Sequence, residues 1–197
     1  MSNSALRRIT APMTVEDFLM FLDGEPERKD QKWELHDGVP KLMVCGTAAH
    51  SMIAGNIDRA LFGQARDRGC EVMRGFLAQA NNHAAFEPDV VIRCGPTNPR
   101  SRAATDPVVV FEVLSPSTMR YDRGTKLERY REIASLKQIV LVYQDSIRLE
   151  AWLREGEDWT EEPIILLSLE EALSIPALQT DLPLSAIYDR LADALRR

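Results

Sequence analysis

A single carboxylate inside an otherwise apolar run constrains this chain more than anything else in it. Over residues 108–114 the order is Val-Val-Val-Phe-Glu-Val-Leu, so Glu112 stands alone among β-branched, aromatic and aliphatic neighbours. A short run of that kind, bounded by Pro107 and by Ser115-Pro116, reads as a strand buried in a covered sheet. An ionised carboxylate there is costly unless it is paired or holds a cation. A second acid occurs in like surroundings: Asp89 follows Pro88 and opens the apolar stretch Val90-Val91-Ile92. Two acids on two core strands, followed by the basic helix start Tyr121-Asp-Arg-Gly-Thr-Lys126, point to a site rather than to a surface.

The bulk of the chain is that of a globular protein. Its 197 residues suit one domain with a proper core, and 45% hydrophobic with 27% charged residues falls in the ordinary range. No apolar run nears the ~18 residues of a membrane span. The start, Met1 to Arg8, lacks the apolar stretch of a signal peptide, so the expectation is a cytoplasmic protein with no membrane partner. Cys45, Cys70 and Cys94 fit neither a disulfide framework nor a zinc knuckle, and all three read as small core residues. The net charge of −6 counts against a nucleic-acid binder, yet a local basic stripe can still meet phosphates on an acidic chain.

The pattern along the chain is helix, strands, helix, strands. Thr14-Val-Glu-Asp17 is a capping box that starts a short helix. Residues 33–44 read as two strands about the Asp37-Gly38 turn, and Ile53, Ile57, Ala60 and Leu61 mark an amphipathic helix from about Ala48 to Asp67. Strands are expected over 71–78, 89–93 and 108–114. A helix then runs over roughly 118–134, strands over 138–143, 147–153 and 164–167, and a last helix over 184–195. Residues 23–30 and 94–105 read as surface loops. The order predicts an α/β or α+β sheet flanked by helices.

Several of these residues together resemble a known family. Pro88-Asp89 followed by Glu112-Val-Leu114 looks like the signature of the PD-(D/E)XK nuclease superfamily, except that Leu114 stands where that pattern has a lysine. The same departure is seen in its Uma branch of restriction-endonuclease-like proteins. The features shared with that branch are Glu34-Leu-His-Asp-Gly38, Pro88-Asp89, Glu112-Val-Leu-Ser-Pro-Ser-Thr118 and Asp122-Arg123 with Lys126 and Tyr130. The resemblance implies a restriction-endonuclease-like α/β domain, a mixed central sheet flanked by helices, spanning 1–197 with its core at about 14–188. It implies a magnesium-dependent DNA endonuclease, with Mn²⁺ as an acceptable substitute for Mg²⁺, both ions suiting oxygen ligands. Asp89 and Glu112 are the implied metal ligands, with the backbone carbonyl of Val113 as a third. Lys126 is the candidate catalytic cation, reaching back from the helix in place of the strand lysine. Glu34 would be an outer acid that holds a metal-bound water. A homodimer is expected, since cutting both strands of a duplex takes two active sites.

Each assignment has a plainer rival. Glu112 can be a structural acid paired with Arg120 or Arg123. Asp89 can be a turn acid at a strand edge. Lys126 can pair with Asp122 four positions earlier on a solvated face, and Glu34 can be a surface strand residue. His50 reads more safely as a helix-start residue making a capping or core hydrogen bond, and His36 and His83 have no ligand partner in the pattern. Tyr130 reads as a core aromatic with its hydroxyl at the rim. Arg93, Arg100, Arg102, Arg120, Arg123, Arg129 and Arg131 form either a solvated face or a phosphate-facing stripe. The whole chain can also be a nucleic-acid-binding or protein-interaction module that does not cleave, or an enzyme acting on a small phosphorylated substrate, although no Gly-rich phosphate loop supports the latter.

Overall fold

A computed structural model describes residues 11–29, 31–44, 46–115 and 119–195. Thr14 caps helix α1 (Val15–Asp23) in a full capping box with Asp17, and a short α2 (Pro26–Lys29) follows inside the expected loop. Strands β1 (Trp33–His36) and β2 (Val39–Leu42) form a hairpin whose turn puts Asp37 and Gly38 at φ 48° and 82°. Gly38 is required there on two counts: its φ is positive, and a Cβ would lie 2.4 Å from Pro12. Helix α3 (Ala48–Arg66) is capped by Thr47.

The expected strand over 71–78 is two strands. Gly75, at φ 62°, breaks the run between β3 (Cys70–Met73) and β4 (Leu77–Asn81), which join different sheets. The chain continues through β5 (Ala84–Phe86), β6 (Val90–Cys94), the two-residue β7 (Ala103–Ala104) and β8 (Pro107–Leu114). The expected helix over 118–134 is three joined pieces: α4 (Met119–Tyr121), a π-helix (Asp122–Lys126) and α5 (Leu127–Arg131). Strands β9 (Gln138–Tyr143), β10 (Leu149–Glu155), β11 (Asp158–Trp159) and β12 (Ile164–Leu166) come next. The hairpin of β13 (Ala172–Ile175) and β14 (Thr180–Pro183) precedes α6 (Leu184–Ile187) and α7 (Ala192–Leu195), so the expected last helix is divided.

The main sheet runs β11-β10-β9-β8-β6-β3, with β12 paired to β10; it is mixed, because β8 and β9 are parallel and the other pairs antiparallel. The helical segment 119–131 makes the crossover that a parallel pair needs. Alternation on β8 divides its residues between two cores. Val109, Phe111 and Val113 face α3 and the C-terminal hairpin. Val110 and Leu114 face the other way, onto Leu127, Tyr130 and Phe86. Glu112 therefore points into the second core, beneath the crossover helix. The smaller sheet, β2-β1-β5-β4-β7, covers the same face and brings Glu34 of β1 towards it.

Cys70 and Cys94 are directly opposed on β3 and β6 and form a disulfide. This corrects their reading as unpaired core thiols: adjacency on two antiparallel strands, which spacing does not show, is what joins them. Cys45 lies outside the described residues.

Candidate active site

The structure places Asp89, Glu112, Lys126 and Glu34 in one cluster. The antiparallel ladder of β6 with β8 ends at Val90 opposite Phe111. Asp89, the residue just before β6, lies near enough to Glu112 for its charge to raise the Glu112 pKa. The backbone N–H of Val113 donates to Asp89 Oδ2 at 2.8 Å, locking the acid to the neighbouring strand. Its other donors are His50, with Nε2 3.1 Å from Oδ2, and Lys32, with Nζ 3.1 Å from Oδ1. Burial works against the charge on Asp89, but His50, Lys32 and the Val113 N–H outweigh it and hold the carboxyl well below the usual range.

Lys126 is 2% exposed, so it is no solvated helix residue. Its Nζ lies 2.8 Å from Glu34 Oε1, 2.8 Å from Glu112 Oε1 and 4.0 Å from Asp122 Oδ1. Burial disfavours its ammonium form, yet Glu112, Glu34 and Asp122 raise its pKa well above the ordinary value. The π-helix aims it: the wider turn carries both Asp122 and Lys126 inward, each at most 5% exposed.

Glu34 and Glu112 respond to this lysine differently. Burial opposes the charge on Glu34, but Lys126 and a hydrogen bond from His36 bring its carboxyl down to about 2. Both its oxygens are engaged, Oε1 by Lys126 and the Glu87 N–H, Oε2 by His36 Nε2 at 2.8 Å. Glu112 is pushed up to about 8, chiefly by burial, with Asp89 and Asp122 adding to the rise and Lys126 opposing it. The Tyr130 hydroxyl donates to Glu112 Oε1 at 2.5 Å from a ring that is 1% exposed, so this aromatic lies deep in the core rather than at its rim.

Lys32, His36 and the contact made by Tyr130 were not foreseen from sequence. Lys32 carries no signal except its place two residues before Glu34. For His36 the signal was alternation on β1, which puts it on the same face as Glu34.

The arginines of this region are mostly claimed by acids. Arg93 bonds Asp106, Arg102 bonds Asp23, Arg129 bridges Asp37 and Glu132, and Arg131 bonds Glu128. Among the described residues, these four do not make a continuous phosphate-facing stripe.

The donor set of Asp89 and Glu112 suits a hard divalent cation, which takes carboxylate oxygens and keeps several waters. Among the described residues no three His, Cys, Asp or Glu side chains form a ready-made metal cage. A two-carboxylate site does not need one. Among the described residues, Asp89, Glu112 and Glu34 meet two ammonium groups, those of Lys32 and Lys126, and the like charge of Asp89 raises the Glu112 pKa. A cation between the two acids would relieve that repulsion. The backbone contact seen at Val113 is its N–H on Asp89.

A mixed sheet with acids at its centre and a lysine reaching in from the crossover helix defines a restriction-endonuclease-like nuclease fold. The same fold is seen in the crystal structure of an Anabaena variabilis protein described as a "putative nuclease belonging to DUF820", with a TM-score of 0.73 at 14% identity, covering 91% of this chain and 99% of that one. The chain belongs to the Uma2 family, described as "Putative restriction endonuclease", which it matches over residues 15–186. It is similar to the uncharacterised Synechocystis sp. protein slr1290, 30% identical over 173 residues that cover 84% of this chain and 88% of the relative. It is also similar to Synechocystis sp. sll1609, 28% identical over 138 residues that cover 66% of this chain and 77% of the relative.

Proposed function

We propose that this chain is a metal-dependent DNA endonuclease, with Asp89 and Glu112 holding Mg²⁺ or Mn²⁺ and the Val113 carbonyl adding a ligand. The observation that carries the reading is the buried Glu34–Lys126–Glu112 cluster with Asp89 beside it, bonded to the Val113 N–H. Buried ionic clusters of this sort give less stability than well-packed apolar residues of the same volume would, so a chemical role accounts for them better than a structural one.

When bound, the cation makes water nucleophilic at neutral pH and offsets the charge on the leaving oxygen. The protein supplies the rest. Lys126 holds a positive charge beside the position of the scissile phosphate, where it stabilises the charge that develops in the transition state. Glu34 fixes that ammonium from behind and keeps it protonated, with His36 fixing Glu34 in turn. Lys126 thereby does from the helix what a lysine at position 114 would do from the strand, a position Leu114 fills with apolar bulk. Tyr130 orients Glu112, while His50, Lys32 and the Val113 N–H orient Asp89. A two-fold pair of such chains would place one site on each strand of a duplex, and sedimentation at micromolar concentration checks for the pair.

The test is Mg²⁺-dependent cleavage of plasmid and oligonucleotide DNA by wild type, Asp89→Ala and Glu112→Ala. The expected result is loss of at least two orders of magnitude in rate for each variant. Cutting by both variants at the wild-type rate would remove these acids from the chemistry.

A further inference from the structure

A second charged cluster lies in the same row of the main sheet as the acids. Glu112 on β8 is in register with Leu141 on β9, and Leu141 is in register with Glu150 on β10. Glu112 and Glu150 are thus two strand spacings apart, about 10 Å. They share a face, because Leu149 and Ala151 on either side of Glu150 pack into the opposite core. The π-helix spans the gap. Lys126 sits on Glu112, and Arg123, three residues earlier, places Nη2 3.2 Å from Glu150 Oε2.

Glu150 is fully buried and carries two guanidinium groups. Arg148 reaches Oε1 through Nε at 3.0 Å and Nη2 at 2.7 Å, and the Tyr143 hydroxyl donates to the same oxygen at 2.9 Å. The Arg148 guanidinium also lies 5.2 Å from the Tyr143 ring centre. One buried carboxylate therefore organises two cations, leaving an excess of one positive charge. Both arginines stay open to solvent, with side chains 45% and 35% exposed. This is the reverse of Arg129, which faces two acids. The pair has N–H donors left over for an oxyanion, close to the candidate site, and a guanidinium fork is the side chain that best matches phosphate oxygens.

We propose that Arg123 and Arg148, set on Glu150, form a clamp for a phosphodiester group of the nucleic-acid strand flanking the scissile one. The proposal rests on the nuclease reading and extends it by fixing where the strand runs: along the row from Glu112 to Glu150, under the π-helix. It also explains how a chain of net charge −6 can hold a polyanion, through a few cations aimed by a buried acid rather than through a basic surface.

The experiment measures equilibrium binding of a labelled duplex oligonucleotide, without divalent metal so that nothing is cut, over a series of salt concentrations. Wild type, Arg123→Gln, Arg148→Gln, both lysine variants at these positions and Arg66→Gln are compared. Arg66 ends α3, about 24 Å along that helix from His50, so its variant removes one charge well away from the site. Each clamp contact to a phosphate contributes roughly 0.9 to the slope of log K against log salt. Both glutamine variants are expected to lose about that much slope and to bind several-fold to tenfold more weakly. The lysine variants should keep most of the slope, since they keep the charge, and Arg66→Gln should match wild type. Their behaviour separates loss of a contact from loss of folding.

Wild-type slope in both glutamine variants, in a protein that binds and cuts DNA, overturns the clamp and leaves the nuclease reading standing. A wild type that neither binds nor cuts DNA overturns both. Displacement of the oligonucleotide by low-millimolar inorganic phosphate alone overturns the assignment to a strand and makes the cluster a site for free phosphate.

Discussion

Lys126 is the residue on which the others depend. Its ammonium contacts both Glu34 and Glu112, all three at most 4% exposed, and is the counter-charge of the ionised Glu34. Removing one partner of a buried ionic cluster strands the remaining charges, at a cost of about 3–5 kcal/mol. Lys126→Met should therefore lower unfolding stability in urea by that amount at neutral pH, and abolish cleavage. A loss below about 1 kcal/mol would mean that the acids have another source of compensation. A subtler change tests Asp89. A Cβ on Gly46 would fall 2.6 Å from the Cγ and Nδ1 atoms of His50, so Gly46→Ala must displace the ring that donates to Asp89. The Asp89 carboxyl should then titrate nearer its ordinary value, which carboxyl ¹³C NMR reads directly; an unchanged titration would show that His50 does not hold it. Of these residues, Glu112 and Asp89 were legible because a charge interrupting an apolar strand has few explanations. Lys32 and the burial of Tyr130 were not, since both depend on which elements come together in space.

At the scale of elements, local rules did well where one short signal decides the outcome. The Thr14 box caps α1, the Asp37-Gly38 pair turns the first hairpin, and 3.6-residue periodicity gives α3 to within one residue at its end. They did less well where an apolar run continues across a break in direction, as at Gly75, and at the π-helix, whose sequence Asp-Arg-Gly-Thr-Lys has no hydrophobic period to reveal the wider turn. The disulfide is a third case, because pairing of β3 with β6 is a long-range property. It closes a loop between positions 24 apart and pins β3, the last strand of the main sheet on that side, which gives it a definite prediction. Reduction, or replacement of Cys70 and Cys94 by serine, should lower stability by about 2–4 kcal/mol. DNA cleavage should persist, since Asp89 lies at the opposite end of β6 from Cys94. Chemical denaturation with and without reductant measures the first, and a nuclease assay under reducing conditions the second. Loss of cleavage on reduction would mean that the register of β6, and not only its edge, depends on the bond.

At the scale of the whole molecule, the proposed metal site would couple ion binding to folding. Glu112 lies on β8 and Asp89 immediately before the neighbouring β6, at the middle of the main sheet, so their repulsion is felt by the fold itself. The Glu112 carboxyl has a folded pKa of about 8 against an ordinary 4.5. A group raised in the folded state stabilises fully below its unfolded pKa, and that contribution is lost as pH rises through the folded value. The metal-free protein should therefore lose stability between about pH 5 and pH 9, and Glu112→Gln should flatten that part of the profile. A divalent cation held by Glu112 would reverse the sign. It would bind the ionised form, so at pH 6.5 binding would expel the Glu112 proton, whereas above pH 9 it would not. Calorimetric titration of Mg²⁺ in buffers of different ionisation enthalpy should show close to one proton released at pH 6.5, falling towards zero as the pH rises past 8. Thermal unfolding should show the same linkage, with about 2.7 kcal/mol gained when the free metal is a hundred times its dissociation constant. Glu112→Gln should show neither effect. Proton release that survives in this variant would place the titrating ligand elsewhere, and no stabilisation of wild type by Mg²⁺ at any pH would leave Glu112 a structural partner of Lys126 and Tyr130.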